Sequence, residues 1–174
     1  MSGFAKCVIW LIVLALLAHP LGQALPRRWF DGERFPYRCC KWEKQGRIYT
    51  RIGVERWKAL VPDMSRLLPA LMPAKKLTEE TFADLPRMIQ ETCVAELIHV
   101  LLSVTGLACL AIWPGVGGAV VTAVYILLGN LPFIIIQRYN RPRLQRLLAL
   151  QQRKQERKVT HGHADTELQY GRGA

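Results

Sequence analysis

Glu96 and His99 stand three residues apart in the segment Glu91-Thr92-Cys93-Val94-Ala95-Glu96-Leu97-Ile98-His99, and on a helix that spacing makes them neighbours. At roughly 100° per residue, Thr92, Glu96, His99, Ser103 and Gly106 fall within about 40° of one line and form a single polar stripe. A carboxylate so placed can accept a hydrogen bond from one imidazole nitrogen and leave the other as a base, the pairing that acyl transfer to a hydroxyl needs. Di-iron bundles use the same spacing, but with two such motifs and further glutamates on partner helices, which this chain lacks. The plainer alternative is a buried Glu–His pair that only docks helices. The apolar setting favours function, because ionisable groups at membrane depth are costly and tend to mark sites.

A second polar stretch runs from Asn130 to Leu144. Pro132 removes a backbone hydrogen bond and should kink its helix, while Asn130, Phe133, Gln137 and Asn140 share a face on the helical period. Arg138, Arg141 and Arg143 emerge where the helix should reach the headgroups, and guanidinium groups bind phosphate in a bidentate way. On this reading Arg138 and Arg141 hold an acyl donor, and Asn130 or Gln137 stabilises the developing oxyanion. The alternative for the arginines is a stop-transfer cluster on anionic lipid.

Three apolar runs must carry these residues. Cys7 to Leu25 is just long enough to cross about 30 Å of hydrocarbon as a helix. It reads either as a signal peptide cleaved near Ala24 or as an uncleaved span with His19 and Pro20 near its far end. Further spans are expected over about Val94–Trp113 and Gly117–Ile136, separated by a tight Pro114-Gly115 turn. Asp84 followed by Leu85-Pro86 reads as an N-cap with proline in the first turn, so a long helix should start there.

Of the 24 basic residues, 14 lie between Pro26 and Gln90 and 9 follow Gln137, whereas the Pro114-Gly115 turn has none. The positive-inside rule then puts the loop and the tail in the cytoplasm and the N-terminus outside. A cleaved signal with the rest inverted is the other arrangement the sequence allows. The loop carries Trp29, Phe30, Phe35, Tyr37, Trp42, Tyr49 and Trp57 among its Lys and Arg, a mixture that favours the headgroup layer. Short interfacial helices are expected from Trp57 to Met72, broken by Pro62, Pro69 and Pro73.

With 174 residues the chain is one folding unit, without room for a second enzyme domain. A net charge of +11 also fits nucleic-acid binding, but no basic stretch sits in a recognisable nucleic-acid motif. The five cysteines make no disulfide framework, and Cys39-Cys40 lacks the further ligands of a zinc site.

Taken with these residues, the chain resembles the glycosyl-4,4'-diaponeurosporenoate acyltransferases, named for the last step of staphyloxanthin synthesis. The resemblance covers most of the chain. It is carried by Glu91-Thr92 with Ala95-Glu96-Leu97-Ile98-His99, by Asn130 with Pro132, and by Gln137-Arg138-Tyr139-Asn140-Arg141-Pro142-Arg143-Leu144. Weaker echoes are Trp42-Glu43-Lys44 with Gly46, and Arg56-Trp57-Lys58. It implies transfer of a fatty acyl group to the primary hydroxyl of a glucose attached to a carotenoid acid. The chain departs from the family pattern at Val94, where a basic residue is expected, and at Val100, where an aromatic is expected.

The expectation is therefore an all-α integral membrane protein with two or three transmembrane helices and an interfacial aromatic and basic loop region. Residues 1–25 form a transmembrane segment or signal peptide, 26–85 the interfacial region, 86–152 the membrane hairpin with the site, and 153–174 a polar, frayed tail. His99, oriented by Glu96, is the expected base; Arg138, Arg141, Asn130, Gln137 and Asn140 are the expected donor-binding set. A Cys93 nucleophile is disfavoured because no second base stands beside it. No bound cofactor or metal is expected: an acyl-CoA or acyl carrier protein thioester serves as co-substrate. The expected partners are membrane lipid, a glycosylated lipid acceptor and other enzymes of the same pathway, with no nucleic acid, in a multi-pass bacterial cell-membrane protein. Two other classes remain open: a non-catalytic scaffold or lipid-presenting subunit, which needs no Glu–His pair, and a proton or metal carrier, which needs an ion path.

Overall fold

The computed structural model describes residues 1–59 and 84–171, with side chains through residue 157. Among these residues every regular element is helical. The interfacial helices expected between Trp57 and Met72 fall mostly outside the described residues.

Helix α1 spans Gly3–Ala24 and is apolar on all sides, as a helix in lipid or in a core must be. Ser2 starts it, its hydroxyl accepting from the Ala5 N–H at 3.2 Å. Arg27 closes it, donating from Nη1 to the carbonyls of Gly22 at 2.8 Å and Leu25 at 2.6 Å. The Nε and Nη2 of the same guanidinium grip Glu91 at 3.1 and 3.2 Å, which ties the end of α1 to the second long helix.

That second helix, here α4, spans Leu85–Gly106 and begins at the expected residue with Pro86 in its first turn. Asp84 precedes it without a side-chain capping bond, contrary to the expected cap. The helix breaks at Leu107-Ala108 and resumes as α5, Cys109–Ile112. Just before the break, the hydroxyls of Ser103 and Thr105 donate back to the carbonyls of His99 and Leu101, which competes with the helical ladder. After the turn, α6 spans Val116–Val124, a π-helical turn covers Tyr125–Asn130, and α7 runs from Leu131 to Gly171. The helix thus continues past Arg153, where a frayed tail is expected, through a run rich in the good helix formers Gln, Lys, Arg and Glu.

Three segments, Gly3–Ala24, Leu85–Ile112 and Val116–Arg157, are long and apolar enough to cross a membrane. Only 6%, 28% and 11% of their most apolar windows are buried within the protein. Apolar surface left bare on this scale suits a lipid solvent, not water. The helices nevertheless pack specifically. Trp10 on α1 donates from its indole to the carbonyl of Thr105 at 3.1 Å, and Phe4 meets Trp113 edge to face, ring centroids 6.3 Å apart.

Residues 26–59 fold over the opposite end of α4 and α7 with two small cores. One joins Phe30 to Cys93 and Val94; the other joins Tyr49 and Val54 to Tyr139. Short helices α2, Arg47–Arg51, and α3, Val54–Trp57, supply the second. The chain enters α2 through three left-handed residues, Lys44, Gln45 and Gly46, with φ of 48°, 59° and 82°. Gly46 belongs at the last because a φ of 82° strains any residue with a Cβ.

Candidate active site

Helices α4 and α7 run antiparallel, and their polar faces meet in three levels. At the first, Arg141 of α7 donates to the Thr92 hydroxyl at 2.9 Å, the Thr92 carbonyl at 3.0 Å and the Tyr37 carbonyl at 2.7 Å. At the second, Glu96 receives Arg138 on one oxygen at 2.6 Å and Arg141 on the other at 2.5 Å. Arg138 also binds Glu43, at 2.7 and 3.2 Å, so a loop carboxylate completes the lattice. At the third level, one turn further along α4, Nδ1 of His99 lies 3.0 Å from Oδ1 of Asn130. The imidazole stacks on Phe133, with centroids 4.5 Å apart and planes 9° from parallel.

The expected hydrogen bond between Glu96 and His99 is therefore replaced. Both residues lie on the polar stripe, but two guanidinium groups reaching across from α7 make charge-assisted bonds that a neutral imidazole cannot match. His99 turns instead to Asn130, whose Nδ2 donates to the Tyr125 carbonyl at 3.0 Å. Its Nε2 makes no hydrogen bond among the described residues.

The two arginines are likewise not open donors. All five N–H groups of Arg138 point at protein acceptors: Glu43 twice, Glu96, the Pro36 carbonyl at 3.4 Å and Cys40 Sγ at 3.9 Å. Arg141 is only 2% exposed. Charges within the lattice cancel, as burial of four ionised groups requires. Arg143 stands apart, bonded to Glu55 at 2.7 Å with its guanidinium 3.9 Å above the Tyr139 ring. Gln137 and Asn140 make no side-chain hydrogen bond among the described residues, and by register Gln137 lies between the Glu96 and His99 levels.

Glu43, which stands only among the weaker echoes of the family, has no place in the expected site. It is the only acidic residue between Glu33 and Glu55, which is the signal that could have marked it. Burial alone would raise its pKa, but hydrogen bonds from Arg138, Tyr49 and the Cys40 N–H outweigh that and hold the carboxyl below its usual range. The Tyr49 hydroxyl, which donates to Glu43, is pushed up by burial and by that carboxylate. Cys39 is pushed up by burial and then by Glu43, so its thiol stays protonated and is a poor nucleophile. A shallow surface dent beside the lattice is lined by Tyr37, Cys39, Glu43, Arg138, Arg141, Pro142 and Gln145. Among the described residues no group of three His, Cys, Asp or Glu side chains gathers in metal-binding reach.

Chemically, the arrangement offers one unengaged imidazole nitrogen beneath a rigid, charge-neutral lattice that joins two apolar helices to an aromatic loop. A family model described as glycosyl-4,4'-diaponeurosporenoate acyltransferase matches residues 26–150. A protein of that name from Staphylococcus aureus (strain MRSA252) is 31% identical over 157 residues, covering 90% of this chain and 93% of the relative. Proteins of the same name from strains Newman and USA300 match at the same identity and coverage. No solved structure matches.

Proposed function

The chain belongs to the glycosyl-4,4'-diaponeurosporenoate acyltransferase family, and on that premise we propose that it moves a fatty acyl group from an activated thioester onto a sugar hydroxyl of a glycosylated carotenoid. That it is an acyltransferase follows from the family; the route is read from the site. The hydroxyl oxygen attacks the acyl carbonyl carbon while its proton passes to Nε2 of His99. As the new C–O bond forms the C–S bond breaks, and the imidazolium returns the proton to the departing thiolate, leaving an ester and a thiol. The observation that carries this reading is the His99 ring, fixed at Nδ1 and on its face but unengaged at Nε2. Gln137 is assigned to the developing oxyanion, because the Asn130 amide is taken at both ends.

The saturated Arg138–Arg141 lattice is assigned to positioning the loop over the site. The acidic part of the donor then falls to exposed cations on the surface next to the lattice. Lys44 follows Glu43, and Arg146 sits beside it, donating to the Gln45 carbonyl at 3.1 Å. Exposed Trp29, Phe35 and Trp42 among exposed Arg28, Arg34, Arg38 and Lys41 support placing residues 26–59 in the headgroup layer.

In the proposed topology α1, α4–α5 and α6–α7 each cross a bacterial cell membrane, with the loop and the C-terminal part of α7 in the cytoplasm. Support for α1 as a retained span comes from its bonds to Thr105 and, through Arg27, to Glu91. The function is tested by lipid profiling of a deletion strain. An acylated glycolipid should vanish while its non-acylated precursor accumulates, and the wild-type gene, but not His99→Gln, should restore it. An unchanged lipid profile would exclude the reaction.

A further inference from the structure

We infer that Asn130 is the positioning residue of this site, and that the π-helical turn carrying it fixes which nitrogen of His99 can take a proton. The inference rests on His99 as the base and adds what prepares it.

The chemistry leaves little choice. Asn130 Nδ2 lies 3.0 Å from the Tyr125 carbonyl, and a carbonyl can only accept, so the amide nitrogen must be the end that faces it. Oδ1 is thereby turned to His99 Nδ1, also at 3.0 Å, and Oδ1 too can only accept. Nδ1 must then carry the hydrogen of the neutral ring. The lone pair is left on Nε2, the nitrogen without a partner among the described residues. A carboxylate at this position could accept from Nδ1 but has no N–H for the Tyr125 carbonyl and would bury an anion among apolar side chains; the amide serves both partners without charge.

The backbone explains why Asn130 can reach both partners. Through Tyr125–Asn130 the helix widens to a π turn, and the Leu131 N–H pairs with the carbonyl of Ile126, five residues back. Pro132 follows at once and brings no N–H, so the ladder is already loosened at this point. The Asn130 side chain takes up the Tyr125 carbonyl in this opened stretch. The Tyr125 ring in turn lies against α4 at Gly106, where a Cβ would come within 2.7 Å of it. The turn that holds Asn130 is thus seated on the helix that carries His99.

The test reads the imidazole directly. Full-length protein in nanodiscs, labelled with ¹⁵N-histidine and assigned by loss of a signal in His99→Gln, should show His99 as the Nδ1–H tautomer at neutral pH. Asn130→Asp, which keeps an acceptor at Nδ1, should keep that tautomer. Asn130→Leu should lose it and lower kcat roughly tenfold or more with little change in KM, as expected when a base is misoriented. An Nε2–H tautomer in the wild type overturns the inference even if Asn130→Leu does not fold, and so does an unchanged tautomer in a folded Asn130→Leu. An unchanged tautomer leaves His99 as base untouched, whereas an Nε2–H tautomer would move the accepting nitrogen to Nδ1 without removing the residue from that role. That reading falls separately, if His99→Gln is fully active.

Discussion

Glu96 meets Arg141 at 2.5 Å across two helices and not His99, its neighbour one turn along the same helix. Two residues of the polar stripe are thereby divided between two tasks. Glu96 belongs to a buried ionic lattice, and His99 is left for the role of base in the proposed reaction.

Breaking that lattice should cost stability before it costs catalysis. Arg141→Met or Glu96→Gln strands a partner charge in a buried site, so each single change should destabilise by about 3–5 kcal/mol. The double replacement Glu96→Gln/Arg141→Met should cost less than the sum of the two, because it removes the charge left unpaired by either change. Chemical denaturation in detergent decides it. Strictly additive losses would mean that the bond at 2.5 Å carries no coupling.

The lattice should also fail in acid, through Glu43. Its carboxyl is held below its usual range by Arg138, Tyr49 and Cys40 against the opposing effect of burial. A depressed folded-state pKa contributes stability that is complete above the unfolded value of about 4.3 and is lost as pH falls through the folded value. Melting followed from pH 7 downward should therefore fall more steeply in the wild type than in Glu43→Gln, which starts less stable. Equal slopes would show that Glu43 does not govern the acid limb.

Helix α1 should survive in the mature protein. Intact-mass analysis of protein purified from membranes should include residues 1–25, and Arg27→Ala should lower the melting temperature by removing both the helix cap and the Glu91 pair. A mass matching cleavage near Ala24 would identify α1 as a signal peptide.

The exposed cations Lys44 and Arg146 should set donor affinity. Lys44→Ala and Arg146→Ala should raise KM for an acidic thioester donor several-fold with kcat nearly unchanged, because such a contact serves ground and transition state alike. The effect should shrink at high salt. A collapsed kcat with unchanged KM would move these residues to the reacting centre.

Much of this was legible in the sequence, and the misreadings share a cause. Helix positions followed from local rules: the Pro86 start, the apolar runs and the polar stripe through Thr92, Glu96 and His99 all stand where periodicity puts them. What could not be read was partner choice across the chain. Spacing made His99 the nearest partner for Glu96, but Arg138 and Arg141, more than 40 residues away, bring full charges to the same carboxylate. Glu43 was hidden for the same reason, since nothing local to Trp42-Glu43-Lys44 says that a buried guanidinium will reach it. The π turn at Tyr125–Asn130 lay behind a visible cue, Pro132, whose expected effect was a kink.

Activity of purified His99→Gln in nanodiscs, with the glycosylated carotenoid and a fatty acyl thioester at saturating levels, tests the base assignment most directly. Glutamine keeps bulk and polarity on the stripe but cannot take a proton at neutral pH. Turnover should fall by roughly 10²–10⁴ while the melting temperature stays near that of the wild type. Wild-type turnover in a folded His99→Gln protein would contradict it and reduce the His99–Asn130 pair to a contact that docks α4 against the third long helix.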